Sequence, residues 1–215
     1  MFMSIKNVPK VPWSSDKPLN LKPKSSTFFF LCLGLTLFGL GEGLLIVSAA
    51  GASPWSVFAQ GIYLNFGLSI GIVTILISLV VLILWLPLKQ KPGIGTILNA
   101  LIVGFMIDIC IKFVPTPENY FSQLFLAFLA VLTVGVGGGI YLVANLGAGP
   151  RDGLMIGLQK KTNLPIAAVR AILEITVMSI GWYLGGTVGL GTLLFAFGIG
   201  PAVALSLYLV GKTFN

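Results

Sequence analysis

The chain has 215 residues, of which 56% are hydrophobic and 9% are charged, and its mean hydropathy is +1.01. This composition excludes a soluble domain of this size, because a single core saturates at a lower apolar content. The formal net charge is +7, but no basic stripe is interleaved with aromatic residues, which excludes a nucleic-acid groove. There is no histidine, and Cys32 and Cys110 lie in separate apolar runs without the spacing of metal ligands. We therefore expect no metal and no cofactor.

The chain begins with a polar segment. Residues 1–26 carry five lysines and predict a loosely ordered, basic cytoplasmic tail. The first apolar run, about residues 27–48, is followed by SAAGAS, which is similar to a signal-peptide cleavage site. The run is longer than the hydrophobic region of a signal peptide, and it belongs to the repeat described next. We therefore expect it to be retained as the first membrane span.

Two stretches of the sequence repeat each other. Residues 39–61, GLGEGLLIVSAAGASPWSVFAQG, align without a gap with residues 135–157, GVGGGIYLVANLGAGPRDGLMIG, at an offset of 96. At the same offset GIGT (93–96) aligns with GLGT (189–192). Coincidence does not explain one register over this length, so the sequence predicts an internal duplication. The glycine trios at the start of both stretches favour close helix packing, with local unwinding as the alternative.

Each half of the chain contains three apolar runs that are long enough to cross a bilayer core of about 30 Å. These are residues 27–48, 68–88 and 94–113, then 123–144, 165–185 and 189–211. Because three is odd, the halves 27–113 and 123–211 enter the membrane in opposite orientations. With the N-terminus inside, and Arg170 left aside within a span, 11 Lys and Arg residues are cytoplasmic and only Lys112 is outside. The predicted fold is an all-α protein of the cell membrane, with six transmembrane helices in a 3+3 inverted-topology repeat and both termini cytoplasmic.

The linker between the first two spans, residues 49–67, is apolar and uncharged, unlike a solvated loop. In it Pro54 follows Ser53, and Pro150 follows Gly149 in the second half, as a proline at the first helical position follows an N-cap. This pattern predicts short re-entrant helices at about 53–62 and 149–160, with interfacial helices as the alternative. Their N-termini suit an anionic group. The predicted binding residues are Gly51, Ser53, Pro54, Ser56, Gly147, Gly149, Pro150, Arg151 and Asp152.

Charged residues in or beside the spans are not duplicated at the offset of 96. An ionisable group inside a span usually faces the protein interior with a partner. Arg170 and Glu174 share one helix face, which predicts either a self-neutralised packing pair or a binding site for a substrate anion. Glu42 and Asp108, together with Glu174, are candidates for carrying a coupling proton. Asp152 sits at the third position of its helix and is expected to satisfy that N-terminus itself, which leaves the start of the first short helix as the freer anion site.

A resemblance to a known family rests on the second half of the chain. GAGPRDGLMIGL at 147–158, followed by GTVGLGTLLFAFGIGP at 186–201, resembles the YczE/YyaS/YitT family of bacterial integral membrane proteins. Through the duplication, the resemblance extends to about residues 28–211. The first half departs from the motif, because GASPWS carries no Arg–Asp pair. The resemblance implies a prokaryotic plasma-membrane protein and brings no substrate or catalytic residue with it.

From these features we expect a transporter or channel for a small, anionic solute, embedded in the lipid bilayer. The alternative is a membrane accessory protein that supports another enzyme or assembly complex and has no ligand. An enzyme is not expected, because the Ser, Asp and Glu residues show no catalytic spacing. The sequence leaves open whether the protein is a homodimer, which ion is coupled, and whether it is a channel or a carrier.

Overall fold

The computed structural model describes residues 8–214, and within that range the chain forms eight α-helices and no strand. They are α1 (Ser25–Val47), α2 (Pro54–Phe66), α3 (Ile70–Leu84), α4 (Ile94–Phe113), α5 (Tyr120–Ala144), α6 (Pro150–Thr162), α7 (Ile166–Tyr183) and α8 (Leu190–Phe214). Five of them, α1, α4, α5, α7 and α8, are long and apolar enough to cross a membrane. The pair α2 and α3, bent by 114°, makes a sixth if it counts as one span. The chain is therefore a multi-pass membrane protein.

The second predicted span, residues 68–88, differs most from the structure. Helix α3 begins at Ile70, where the Ser69 side chain accepts a hydrogen bond from Ile72 N, and it ends at Leu84. Its 15 residues extend about 22 Å, less than a bilayer core of about 30 Å. The chain after Leu84 forms a series of turns that includes Lys89 at a positive φ of 53°. The span is thus shorter than predicted, because the helix stops before the apolar run does.

The predicted tail is not loosely ordered over the residues that the structure describes. Residues 8–24 pack across the ends of α1, α5 and α8, where Trp13 is 5% exposed and stacks on Phe30 with its ring edge near Phe214. The Asn145 side chain donates a hydrogen bond of 2.8 Å to Ser15 O. Burial of apolar side chains in this segment orders it against the helix ends. Residues 1–7 of the predicted tail lie outside the described residues.

Helices α1 and α5 cross at the centre of the molecule, and glycines make the close approach possible. A Cβ added at Gly41 would lie 2.6 Å from the backbone N of Val134 on α5. A Cβ added at Gly137 would overlap the backbone of Phe38 on α1. The two contacts are equivalent at the offset of 96 residues, because Gly41 corresponds to Gly137 and Phe38 corresponds to Val134. The close packing that the glycine trios predict is therefore present.

The turns of the backbone recur at the same offset. In the described part of the chain, all residues with positive φ fall into four pairs that are 96 residues apart. The pairs are Ala49 and Asn145, Gly51 and Gly147, Gly67 and Asn163, and Lys89 and Gly185. The φ values of Gly51 and Gly147 are 118° and 116°, a conformation that only glycine adopts readily. Equivalent positions in the two halves therefore have similar backbone conformations.

The turns that precede α2 and α6 are braced by the opposite half of the chain. Gly95 N donates to Leu146 O at 2.8 Å, and Gly191 N donates to Ala50 O at 2.7 Å. Gly95 belongs to the GIGT motif at the start of α4, and Gly191 belongs to the GLGT motif at the start of α8. Each motif thus positions the turn from which the other half's short helix begins.

One helix pair breaks the correspondence. Helix α3 packs along α4, whereas α7 packs against α2 and α6 and has no comparable contact with α8. A cavity lined by residues of α7 and α8 lies between these two helices. The residues that line this cavity form the candidate site.

Candidate functional site

The candidate site is a cavity of about 250 Å³ at the centre of the helix bundle. Side chains of α1, α2, α5, α6, α7 and α8 line it, so the starts of both short helices reach it. Its charged lining residues are Glu42, Arg151, Asp152, Arg170 and Glu174. Ionisable groups in such an apolar bundle mark functional pathways more often than packing. The sequence predicted all five as binding or coupling residues.

Glu42 on α1 lies at the start of α2 and is only 1% exposed. Its Oε2 accepts hydrogen bonds from the hydroxyls of Ser53 and Ser56, both at 2.7 Å. Ser53 is the N-cap of α2 and Pro54 its first residue, as the sequence predicted. The start of α2 was interpreted as a free anion site, but in the structure its hydroxyls hold the carboxylate of Glu42. The sequence pattern did not indicate this partner, because Glu42 belongs to another helix.

Arg151 on α6 joins the two halves of the site. Its guanidinium lies 5.2 Å from the ring centroid of Trp55, and its Nη1 lies 4.0 Å from Glu42 Oε1. Trp55 and Arg151 occupy equivalent positions, 96 residues apart. The guanidinium donates no hydrogen bond to any residue between 8 and 214, although it has five N–H donors. Arg151 therefore has free donors beside the cavity.

Asp152 lies in the first turn of α6, at the position that the sequence predicted. Its Oδ2 accepts a hydrogen bond of 2.6 Å from the hydroxyl of Tyr141 on α5. Its role at the N-terminus of α6 stays a prediction, and Tyr141 is a partner that the sequence did not indicate. Tyr141 is 4% exposed and lines the cavity. Sequence reasoning missed it, since a tyrosine in an apolar run is most often a packing residue.

Arg170 and Glu174 face the site from α7. Arg170 Nε donates to Glu174 Oε1 at 2.8 Å, and the two side chains are 45% and 20% exposed. The predicted local pair is present, and both residues also line the cavity. The geometry is thus compatible with both roles that the sequence allowed, and the binding role stays a prediction.

Six predicted residues do not line this cavity, namely Gly51, Ser56, Asp108, Gly147, Gly149 and Pro150. Gly149 and Pro150 line the smaller cavity described next, and Ser56 reaches the site through its hydrogen bond to Glu42. Gly51 and Gly147 form the turns before α2 and α6 and act on the site only through those turns. Asp108 on α4 accepts hydrogen bonds from the Ser69 hydroxyl and from Gly71 N, the latter at 2.7 Å. It therefore ties α4 to the start of α3.

A second cavity, of about 50 Å³, lies on the other side of Arg151 and Asp152. It is lined by Thr74, Ser78, Asn99 and Val103, whose counterparts Arg170, Glu174, Phe195 and Ile199 line the larger cavity. Phe38 and Tyr141 border both. The two cavities are thus equivalent in position but different in volume and charge. Within residues 8–214, no group of three His, Cys, Asp or Glu side chains is arranged to hold a metal ion.

Comparisons with known proteins place the chain among membrane proteins. A family of unknown function, DUF6198, matches residues 25–207. A protein of Haemophilus influenzae is 37% identical over 99% of this chain and 96% of its own length. The membrane protein YczE of Bacillus subtilis is 36% identical over 84% of each chain, and YyaS of the same organism is 26% identical over 78% of this chain and 85% of its own. No solved structure matches the chain.

Proposed function

The chain belongs to the DUF6198 family, which includes relatives of YczE and YyaS, and from that premise we propose that it is a carrier for a small solute with an anionic group. In this proposal the protein lies in the cell membrane as a six-span, 3+3 inverted-topology repeat with both termini cytoplasmic. Helices α2 and α6 are its re-entrant half-helices. The arrangement is a recurring one among secondary transporters.

The repeated backbone supports the inverted repeat. The turns at Gly51 and Gly147 have nearly the same φ, and each is braced by the glycine motif of the opposite half. The burial of Trp55 and Pro54 supports a re-entrant α2, because a helix lying at the membrane surface would leave its start exposed. The distribution of Lys and Arg supports cytoplasmic termini.

The larger cavity is the observation that carries the proposal. Five charged side chains converge on it, and insertion of a charged side chain at mid-helix costs about 2.5–3.5 kcal/mol on insertion scales. A protein that used these groups only for packing would pair them fully, yet Arg151 donates no hydrogen bond within the described chain. Arg151 supplies the unpaired positive charge for an anionic group, and Arg170, which is paired with Glu174, borders the cavity beside it. Glu42, Asp152 and Glu174 are the carboxylates that line the same cavity.

The pair of cavities supports a carrier more than a channel. In this structure the cavity between α7 and α8 is open, while its counterpart between α3 and α4 is almost closed. In an inverted repeat, the opposite state arises when α7 approaches α8 and α3 moves away from α4. The residues shared by both cavities, with Arg151 among them, would then face the two sides of the membrane in turn. A solute shifts this equilibrium only if it binds the two states unequally.

The test is an uptake experiment with the full-length protein in proteoliposomes. A defined mixture of inorganic anions, organic acids, amino acids, amines and sugars is supplied outside, and mass spectrometry or ion chromatography identifies what accumulates inside. We expect one class of compound with an anionic group to accumulate above protein-free liposomes. Arg151→Ala and Arg170→Ala should reduce its uptake, and Lys112→Ala, at the far end of α4, serves as the control that keeps it.

A folded protein that accumulates none of these compounds contradicts the proposal. That result favours the accessory-protein alternative, which predicts a protein partner that co-purifies from the native membrane. Uptake that survives both arginine substitutions also contradicts the assignment of the central cavity as the binding site.

A further inference from the structure

Two buried polar groups at the larger cavity have no hydrogen-bond partner among the described residues. They are Glu42 Oε1, an acceptor, and Trp55 Nε1, a donor. Buried polar groups are nearly always hydrogen-bonded, so each such exception requires an explanation. Both residues line the same cavity, and the free guanidinium donors of Arg151 lie beside them. The site thus offers one unsatisfied acceptor and several unsatisfied donors to a ligand.

The charge balance of the cavity argues against a ligand that is only an anion. Three carboxylates and two guanidinium groups line the cavity, which leaves an excess of one negative charge. The Ser53 and Ser56 hydroxyls satisfy only Glu42 Oε2, and Arg151 is too far from Oε1 to donate a hydrogen bond. A positively charged donor on the ligand would satisfy Oε1, and a ligand that carries both charges would not add to the excess negative charge as a plain anion would.

We infer that the solute is a small zwitterion of the α-amino-acid class, whose ammonium group donates to Glu42 Oε1 while its carboxylate accepts from Arg151 and Trp55 Nε1. This inference rests on the proposed function and adds the positive group to the anionic one. Glu42 Oε1 and Arg151 Nη1 are 4.0 Å apart, so one small molecule that bears both charges on a single carbon serves both. The cavity of about 250 Å³ is smaller than the pockets of about 300–1,000 Å³ that hold drug-sized ligands.

The second pair of charges completes the assignment. Arg170 and Glu174 neutralise one another on α7, so they present little net charge to the ligand. Both residues border the cavity at the gap between α7 and α8. The side chain of the bound amino acid would lie there, between this pair and the apolar residues Phe195 and Ile199. The two charged groups of the solute therefore bind at the centre of the bundle, while the variable part faces the gap.

The experiment is a thermal-shift titration of the full-length protein in detergent with three matched sets of probes. The first set is the twenty proteinogenic L-amino acids, the second is the carboxylic acids that lack their amino group, and the third is the amines that lack their carboxyl group. We expect at least one amino acid to raise the melting temperature in a saturable manner, as a ligand of the native state does. Its matched acid and amine should each bind at least about tenfold more weakly, because either one leaves a charged group of the site unpaired.

Two variants locate the binding groups. Glu42→Gln keeps an oxygen for the serine hydroxyls but removes the negative charge. It should lower the affinity for the amino acid at least about tenfold while leaving the affinity for the matched acid unchanged or higher. Trp55→Phe removes only the donor Nε1 and keeps an aromatic ring under Arg151. It should therefore lower the affinity for the amino acid and for the matched acid alike. Glu118→Gln, in the linker between α4 and α5, is the matched control and should bind as the unaltered protein does.

Three outcomes overturn the inference. Equal binding of an acid and its amino acid, insensitive to Glu42→Gln, identifies a plain anion and leaves the proposed carrier standing. Binding of an amine that lacks the carboxyl group, as tight as that of its amino acid, would show that the assigned carboxylate contacts to Arg151 and Trp55 are not needed. Failure of all twenty amino acids to bind a folded protein rejects the class, and the uptake experiment then decides separately whether another solute is carried.

Discussion

Helices α3 and α4 pack closely together, whereas α7 and α8, at the equivalent positions 96 residues further on, are separated by a cavity. The contrast is clearest at two equivalent glycines. A Cβ added at Gly104 would lie 2.7 Å from the carbonyl oxygen of Gly71, while a Cβ added at Gly200 would meet nothing within 4 Å. One repeated backbone therefore supports two different helix contacts, and the side chains that differ between the halves decide which contact forms.

The residues that close the first gap have no equivalents in the second. Asp108 ties α4 to Gly71 N and to the Ser69 hydroxyl, but Ala204 occupies the position equivalent to Asp108. Gly71 itself corresponds to Ala167, whose extra carbon hinders so close an approach. The closed gap thus depends on one carboxylate and on the absence of one methyl group.

The largest expected effect concerns Glu42 on α1, whose carboxylate has no equivalent in the second half of the chain. Glu42→Ala should lower the free energy of unfolding by about 3–5 kcal/mol, because it removes the carboxylate that accepts from the Ser53 and Ser56 hydroxyls and the opposite charge beside Arg151. The counterpart of Glu42 is Gly138, where a Cβ would meet ordinary contacts at 3.4 Å or more. Gly138→Ala is therefore the matched control, and thermal unfolding in detergent measures both. Equal losses for the two variants would show that Glu42 has only a packing role.

The next effect concerns the tie between α4 and α3. Asp108→Ala should cost about 1.5–3 kcal/mol, the range for hydrogen bonds to a charged group, and should let α3 move away from α4. Ala204→Ser, at the equivalent position of α8, adds a small group where no tie exists and should change stability by less than about 0.5 kcal/mol. Chemical or thermal denaturation checks the order of the two variants. A stable Asp108→Ala protein would mean that packing alone closes the gap.

A smaller effect is expected from the pair of glycines. Gly104→Ala should lower stability by about 1–3 kcal/mol, because overpacking forces Ile75 and the α3 backbone to shift. Gly200→Ala makes no contact and should be neutral or slightly stabilising, since alanine favours a helix over glycine by about 1 kcal/mol. Thermal unfolding of both variants under one condition provides the comparison. A loss at Gly200 as large as the loss at Gly104 contradicts an open second gap.

The last prediction compares access to the two cavities and requires no change in stability. Ser78 and Glu174 are equivalent residues that line the cavities of about 50 Å³ and 250 Å³. In a background with Cys32→Ala and Cys110→Ser, a small methanethiosulfonate reagent should modify Glu174→Cys at least about tenfold faster than Ser78→Cys, since access governs the rate of a surface or cavity thiol. The serine at position 110 matches Ser206, its natural counterpart.

The ratio of those two rates also tests the carrier mechanism. Adding Asp108→Ala to the Ser78→Cys variant should raise the labelling rate of the cysteine at position 78. The gap between α3 and α4 opens once the hydrogen bonds of Asp108 are lost. A rate at Ser78 that is already as high as at Glu174 would mean that both gaps are open to the reagent, as in a channel.

Much of the helical framework was predictable from local sequence rules. The lengths of the apolar runs placed five of the eight helices of the described chain within a few residues, and the N-cap and proline pairs placed the starts of α2 and α6. The end of α3 and the packing of residues 8–24 were not predicted. Both depend on contacts with distant segments, which a local apolar pattern does not record.

The sequence by itself determined the membrane class, the positions of the helices, the offset of 96 residues and the identity of the charged residues in the spans. These follow from hydropathy, periodicity and helix-end chemistry, which act between residues close in the chain. Only the tertiary structure decided that Glu42 is held by the start of α2, that Asp152 is held by Tyr141, and that one gap is closed while the other is open. Those contacts depend on the three-dimensional packing of side chains from different helices, and no spacing along the chain encodes that packing directly.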